Sequence, residues 1–198
     1  MTDPFQDLPR GHFKVIYADP PWSFRVWSED TGAGRSPSAH YSTMSMDDLA
    51  ALPIAELAAP DCVLFCWVCW PSLPDALRVI EAWGFEYKTC GFDWMKAHAG
   101  QLDMFRDDAD CQVGMGYWTR ANTEPCLLAV RGKPKRRDAG VRMGIIEPRR
   151  QHSRKPDCVH GRIERLVEGP YLELFARQHR PGWTVWGNQT DKFNEVAA

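Results

Sequence analysis

The amino-acid sequence predicts an α/β fold, a Rossmann-like three-layer sandwich, on three observations. Short apolar runs such as Val15-Ile16-Tyr17-Ala18 and Val63-Leu64-Phe65-Cys66-Trp67-Val68 have the length and continuity of buried strands. Between them lie segments whose apolar residues recur at helical spacing, and alternation of the two kinds favours helices layered on a sheet. The third observation is size. A chain of 198 residues, 44% hydrophobic and 25% charged, buries one full core and reads as a single domain, with its core at about 13–190.

The elements follow in order. Residues 14–18 form the first strand. The polar stretch 23–40, with Gly32, Gly34 and Pro37, reads as a loop long enough to move. Ser45 caps a short helix that has Asp47 and Asp48 in its first turn and is interrupted by Pro53. Residues 62–70 form a buried strand. Ser72 is expected to cap a helix over 73–83, where Leu73, Ala76, Leu77, Ile80 and Trp83 share a face, and Gly84 ends it. Residues 86–95 are a strand, 97–116 a second mobile loop, and 126–130 and 144–146 further strands. Pro156 opens a helix over 156–168 that Gly169-Pro170 ends, and 171–176 and 184–186 are the last strands.

Composition narrows the classes. No apolar run approaches a membrane span, and the N-terminus lacks a basic-then-apolar signal pattern, so a cytoplasmic protein without membrane contact is expected. Seven cysteines without framework spacing read as reduced core residues. The net charge of −2 leaves a nucleic-acid partner unreadable from overall charge. Nine tryptophans exceed what a core of this size asks for, which leaves some as stacking surfaces.

The first strand runs into Asp19-Pro20-Pro21-Trp22. The N6 amine of adenine is a poor nucleophile because its lone pair is delocalised into the ring. A site that accepts hydrogen bonds from both N–H groups turns that lone pair outward. The Asp19 carboxylate and the Pro20 carbonyl are two acceptors without a competing donor, since proline has no N–H. Consecutive prolines stiffen the segment, and Trp22 offers a flat face for a base. Asp19, Pro20, Pro21 and Trp22 are therefore the candidate catalytic residues.

Further blocks follow: Tyr41-Ser42-Thr43-Met44, Ser153-Arg154-Lys155-Pro156-Asp157, Glu173-Leu174-Phe175-Ala176-Arg177 and Trp186-Gly187-Asn188-Gln189. In this order the chain resembles the MT-A70-like adenine-N6 methyltransferases, over residues 13 to about 190. The resemblance implies a circularly permuted class I methyltransferase fold that takes S-adenosyl-L-methionine and releases S-adenosyl-L-homocysteine. Only 18 residues precede Asp19, too few for a donor-binding half, so donor binding falls to the C-terminal third. The resemblance places Lys155, Arg177, His179, Asn188 and Gln189 around the donor. It places Trp22 and Tyr41 against the adenine, with Glu124 as the acid flanking the acceptor pocket. Lys155, read at a helix start, suits the donor carboxylate. Arg180 departs from the asparagine of some members. The acceptor is expected to be adenine in DNA, because compact members resembling this chain occur in bacteria and phages.

Other readings compete. Cys62, Cys66 and Cys69 have the C-x3-C-x2-C spacing of iron–sulfur radical enzymes, but a strand would turn Cys66 and Cys69 to opposite faces, and no metal is expected. An RNA adenosine methyltransferase, or a catalytically weak nucleic-acid-binding subunit of a homodimer or partnered assembly, is the alternative. The basic run from Arg131 to Lys155, including Arg136 and Arg137, is expected to form one phosphate-tracking surface.

Overall fold

A computed structural model describes residues 3–22, 43–98, 111–113, 118–150 and 154–193. Its strands are β1 Phe13–Ala18, β2 Ala58–Trp67, β3 Glu86–Ala97, β4 Thr123–Arg131, β5 Gly144–Pro148, β6 Tyr171–Leu174 and β7 Trp183–Trp186. They form one mixed sheet in the order β5-β3-β4-β2-β1-β6-β7. β1, β2, β6 and β7 are parallel neighbours, and β4 runs antiparallel between β2 and β3.

Alternation along the strands divides the core in two. Ile16 and Ala18 of β1, Leu64 and Cys66 of β2 and Leu172 and Leu174 of β6 face one cluster. Helices α1 (Met46–Ala50), α2 (Ile54–Leu57) and α3 (Leu73–Ala82) cover it with Leu49, Ile54, Leu57, Ala76, Val79 and Ile80. Val15 and Tyr17, with Val63, Phe65 and Trp67, face the opposite cluster, which α4 (Cys158–Leu166) covers with Val159 and Ile163. Successive strand residues point to opposite faces, so continuous apolar runs are what a sheet covered on both sides requires. The expected three-layer α/β sandwich is present.

Local chemistry sets the helix ends. The Ser45 hydroxyl accepts from the Asp48 N–H at 3.1 Å, as expected of a cap. Ser72 does not cap α3. It lies in a 3-10 turn, Trp70–Ser72, and its hydroxyl is buried without a hydrogen-bond partner among the described residues. The strand before it stops at Trp67 because the chain turns there. The last helix is shorter than expected, 158–166 instead of 156–168. At the end of α3, Gly84 (φ +81°) and Phe85 donate to the carbonyls of Glu81 and Ile80, a Schellman closure. The expected mobile loop 23–40 lies outside the described residues, as does most of 97–116.

The register puts one set of chain ends on a common rim. Ala18 pairs with both Cys66 and Leu174, and Leu174 with Trp186. Asp19, Trp67, Phe175 and Gly187 therefore share the carboxyl rim of the parallel strands. Trp67 also pairs with Cys126, so antiparallel β4 begins on that rim with Thr123 and Glu124. β1 and β6 lie on either side of the point where the connections change direction, the place where open α/β sheets bind ligands. The strand that carries the tetrapeptide comes first and the strands across that point come last, the order expected of a permuted chain.

A left-handed glycine at the end of α3 has a specific cost. A Cβ at Gly84 meets only Ala55 Cβ, at an ordinary 3.6 Å, so the backbone is its sole difficulty. Gly84→Ala is expected to lower stability by about 1–2 kcal/mol and leave ligand binding at the rim unchanged. Denaturant unfolding checks it; an unchanged midpoint contradicts this account of the closure.

Candidate active site

The tetrapeptide leaves β1 in a tight turn. The Pro20 carbonyl accepts the Trp22 N–H at 2.8 Å, a three-residue turn, and the Pro21 carbonyl accepts the Met44 N–H at 3.1 Å. One lone pair of the Pro20 oxygen is thereby used and a second remains. The Trp22 indole donates to the Trp67 carbonyl at 2.7 Å and its ring is 4% exposed, packed with Leu49 and Met44. Here the structure corrects the stacking role expected of Trp22. The ring is a bolt between the tetrapeptide and β2, with its faces turned into the core.

Asp19 belongs to a part-buried charge network centred on Lys155. Lys155 Nζ donates to both Asp19 oxygens at 2.8 Å and pairs with Glu124 Oε1 at 2.9 Å; Lys96 Nζ holds Glu124 Oε2 at 2.7 Å. The Lys155 ammonium also lies 5.5 Å from the Trp67 ring centroid, and Trp67 donates its indole N–H to the buried Tyr17 hydroxyl at 2.6 Å. Burial raises the Asp19 carboxyl above its usual range against the pull of Lys155. Burial also works against ionised Glu124, but Lys155 and Lys96 outweigh it and hold Glu124 down to about 2. Burial disfavours the Lys155 charge as well, and its two carboxylates reverse that, so the ammonium titrates above the usual lysine range. Asp19 is thus the carboxylate of the pair that protonates more readily.

This network gives Lys155, which also lines the cleft beside Asp19, partners that the sequence did not predict. An ammonium has three N–H donors, and all three are engaged by Asp19 and Glu124. It lies ahead of α4, which begins at Cys158. A clamp on a donor carboxylate requires it to release a bond.

A cleft opens beside Asp19 between the ends of β1 and β6, lined by Tyr17, Arg154, Lys155, His160, Glu173, Phe175 and Arg177 among others. His160 Nε2 lies 2.7 Å from Glu173 Oε2. Phe175 has φ +61°, a strained conformation for a large side chain, and its ring meets Trp186 edge-on at 5.6 Å. A Cβ on Gly187 would lie 2.5 Å from the Ala176 oxygen, so only glycine lets the turns after β6 and β7 pack there. Of the residues expected at the donor, Arg177 lines the cleft. His179 and Asn188 are exposed on the neighbouring turns, with His179 3.5 Å from Asp191, and Gln189 accepts from Lys192 Nζ at 3.2 Å.

Other expected residues scatter. Tyr41 lies outside the described residues. The basic run is not one surface. Arg131, at the far end of β4, pairs with Cys62 of β2, and the Arg137 N–H donates to the Leu166 carbonyl at the last residue of α4. Cys62 lies five positions back along β2 from Trp67, about 17 Å from the rim that carries Asp19. This corrects the expectation for Arg136 and Arg137, because antiparallel β4 carries the chain away from the site. Arg150, Arg154 and Arg180 converge instead on Asp157 at 2.6, 3.3 and 3.3 Å, on the rim side. Cys62 and Cys66 are core side chains. Cys69 packs against the same cluster, not the opposite one, because β2 ends before it. Sequence reasoning missed Lys96, Trp67, His160 and the Asp157 cluster. For the last, the only signal was a lone acid among arginines.

The sequence model of the MT-A70 family matches residues 13–189. The chain is 34% identical over 204 residues to the Type II methyltransferase M.MunI of Mycoplasma sp., covering 94% of this chain and 82% of that protein. It is 31% identical over 186 residues to the human N(6)-adenosine-methyltransferase catalytic subunit METTL3, covering 91% of this chain and 29% of that protein. The N(6)-adenosine-methyltransferase MT-A70-like protein of Drosophila melanogaster is also 31% identical, with 91% of this chain and 27% of that protein covered. The chain therefore spans most of the mycoplasma protein and under a third of the two animal ones.

The depressed Glu124 has a consequence for folding. Its pKa of about 2 lies below the ordinary 4.5. The ionised group therefore adds stability that is fully present above about 4.5 and is lost as pH falls towards 2. Glu124→Gln is expected to cost about 2 kcal/mol at neutral pH and to flatten the acid decline in that window. Urea unfolding at stepped pH checks it, and an undiminished decline would show that the carboxylate is not paired.

Proposed function

The chain belongs to the MT-A70 family, a family of adenine-N6 methyltransferases, and from that premise we propose that it methylates N6 of adenine in DNA using S-adenosyl-L-methionine. The observation that carries this reading is the Asp19 carboxylate, fixed by Lys155 at the rim, with the Pro20 carbonyl beside it and a cleft at its side. The likeness to the mycoplasma Type II methyltransferase along most of its length supports DNA over RNA. The proposed compartment is the cytoplasm, where seven free cysteines stay reduced.

Each Asp19 oxygen keeps a lone pair beyond its bond to Lys155, and the Pro20 oxygen keeps one beyond its bond to Trp22. Together they accept the two N–H groups of the amine and stabilise the positive charge that develops on N6. Both are rigidly placed before the base arrives, which is where such stabilisation is strongest. Lys155 acts as a positioning residue: it orients Asp19 and keeps it ionised.

The residues of the cleft fit the donor. Arg177 and Arg154 line it as cations for a carboxylate, and Gly187 lets the turns after β6 and β7 pack closely beside it. Bound there, S-adenosyl-L-methionine supplies the electrophilic methyl group and leaves as S-adenosyl-L-homocysteine. His179, Asn188 and Gln189, on the adjoining turns, are proposed for its adenosine part. Arg149 and Arg150, on the rim, take over the phosphate-contact role expected of Arg136 and Arg137.

The test is incubation with labelled donor and a panel of DNA and RNA, followed by nucleoside analysis. N6-methyladenine in DNA is expected; label in RNA alone overturns the DNA assignment. Asp19→Asn is expected to slow transfer by about 100- to 1,000-fold, and near-normal turnover removes Asp19 from the chemistry. Loss of the Lys155 cation raises the Asp19 pKa further, and transfer needs that carboxylate ionised. Lys155→Met is therefore expected to shift the acid limb of the pH–rate profile to higher pH, and an unmoved limb would dissociate the two residues.

A further inference from the structure

Resting on the methylation reading above, the geometry points to Trp70 as the platform on which the acceptor base stacks. Trp22 cannot serve as the face for a base in this structure, since it is 4% exposed and bolted to β2. Trp70 lies three residues beyond Trp67, on the same rim, and is 46% exposed. A lone exposed aromatic is ordinary; this one is oriented. Its indole donates to the Thr123 hydroxyl at 3.0 Å, and the backbone beneath it is held in a 3-10 turn containing Pro71, where the Ser72 N–H donates to the Cys69 carbonyl at 2.8 Å.

The anchor places the ring with respect to the chemistry. Thr123 immediately precedes Glu124, which Lys155 joins to Asp19. Asp19 follows β1 and Thr123 opens β4, two strand spacings apart in the sheet, or about 10 Å. That interval accommodates one nucleobase, with its exocyclic amine at Asp19 and its ring against the indole. Stacking on tryptophan is tolerant of sequence and does not depend on phosphate charge. Trp70 thus contributes base binding that survives salt, while the arginines on the rim contribute binding that salt removes.

The experiment measures steady-state transfer to a short single-stranded oligodeoxynucleotide containing adenine, at low and high salt, with donor affinity read by calorimetry. Trp70→Ala is expected to raise the acceptor KM about tenfold to a hundredfold at both salt concentrations, with donor affinity and melting temperature unchanged. Trp70→Phe is expected to recover most of the loss, and Thr123→Val, which frees the ring from its anchor, to fall between. Where the wild-type protein methylates the oligonucleotide, an unchanged acceptor KM for Trp70→Ala overturns the assignment. So does an equal loss in donor affinity, or a loss produced by Trp118→Ala, which removes a more exposed indole than that of Trp70, and not by Trp70→Ala. If the wild-type protein transfers no methyl group to any nucleic acid, it is the methylation reading itself that fails.

Discussion

The structure around the rim depends on one part-buried ammonium. Lys155 Nζ binds Asp19, 136 residues earlier in the chain, and Glu124 on β4. Removing three charged groups from water costs several kcal/mol each, and only close pairing with every donor satisfied offsets it. That demand fixes geometry. The ends of β1 and β4 and the segment before α4 must meet at one nitrogen. A slip of one residue in the β2–β4 register would turn Glu124 to the other face of the sheet and leave Lys155 with one partner.

The sheet satisfies this demand through its topology. Parallel β1 and β2 bring Asp19 and Trp67 to one rim, and antiparallel β4 begins there. The same rim receives the turns after β6 and β7, where Phe175 adopts its positive φ and Gly187 admits the Ala176 backbone. Two subsites form on opposite sides of Asp19. Towards β6 lies a cleft with cationic and aromatic walls. Towards β4 lie Glu124, Lys96 and Trp70. A group that orients an amine belongs between such subsites, because an acceptor from one side and a methyl group from the other meet over it.

Most of the fold was legible in the sequence. The continuous apolar runs of β1 and β2, the capping serine of α1 and the glycine closing α3 each carry a local signal strong enough to survive packing. Boundaries were less legible. β2 was expected to run to residue 70, but the chain turns after Trp67, and this one difference displaces Cys69, Trp70 and Ser72 from their expected roles. In the site, Asp19 was legible because its neighbours are prolines. Trp22 was assigned to a base, but its ring is buried; Lys155 was assigned to the donor carboxylate, and although it lines the cleft its three donors are held by Asp19 and Glu124. Burial, not residue type, decides whether an indole is a bolt or a platform. An ammonium near a donor cleft serves whichever carboxylates the tertiary fold delivers, and Glu124 arrives from β4, far away in sequence.

The occupied state of Lys155 also orders the chemistry. Were it a free clamp, Asp19 would become organised only when a donor arrived. With its three donors already committed, the acceptor-side carboxylate is oriented before either substrate binds, and no reorganisation is required of it during methyl transfer. In the proposed reading the donor carboxylate is met by other cations, and the guanidiniums that line the cleft hold charge at any working pH. The division is physically economical. A compact ammonium suits a fixed, buried pair of carboxylates, and planar guanidiniums suit a ligand that comes and goes at a solvent-facing cleft.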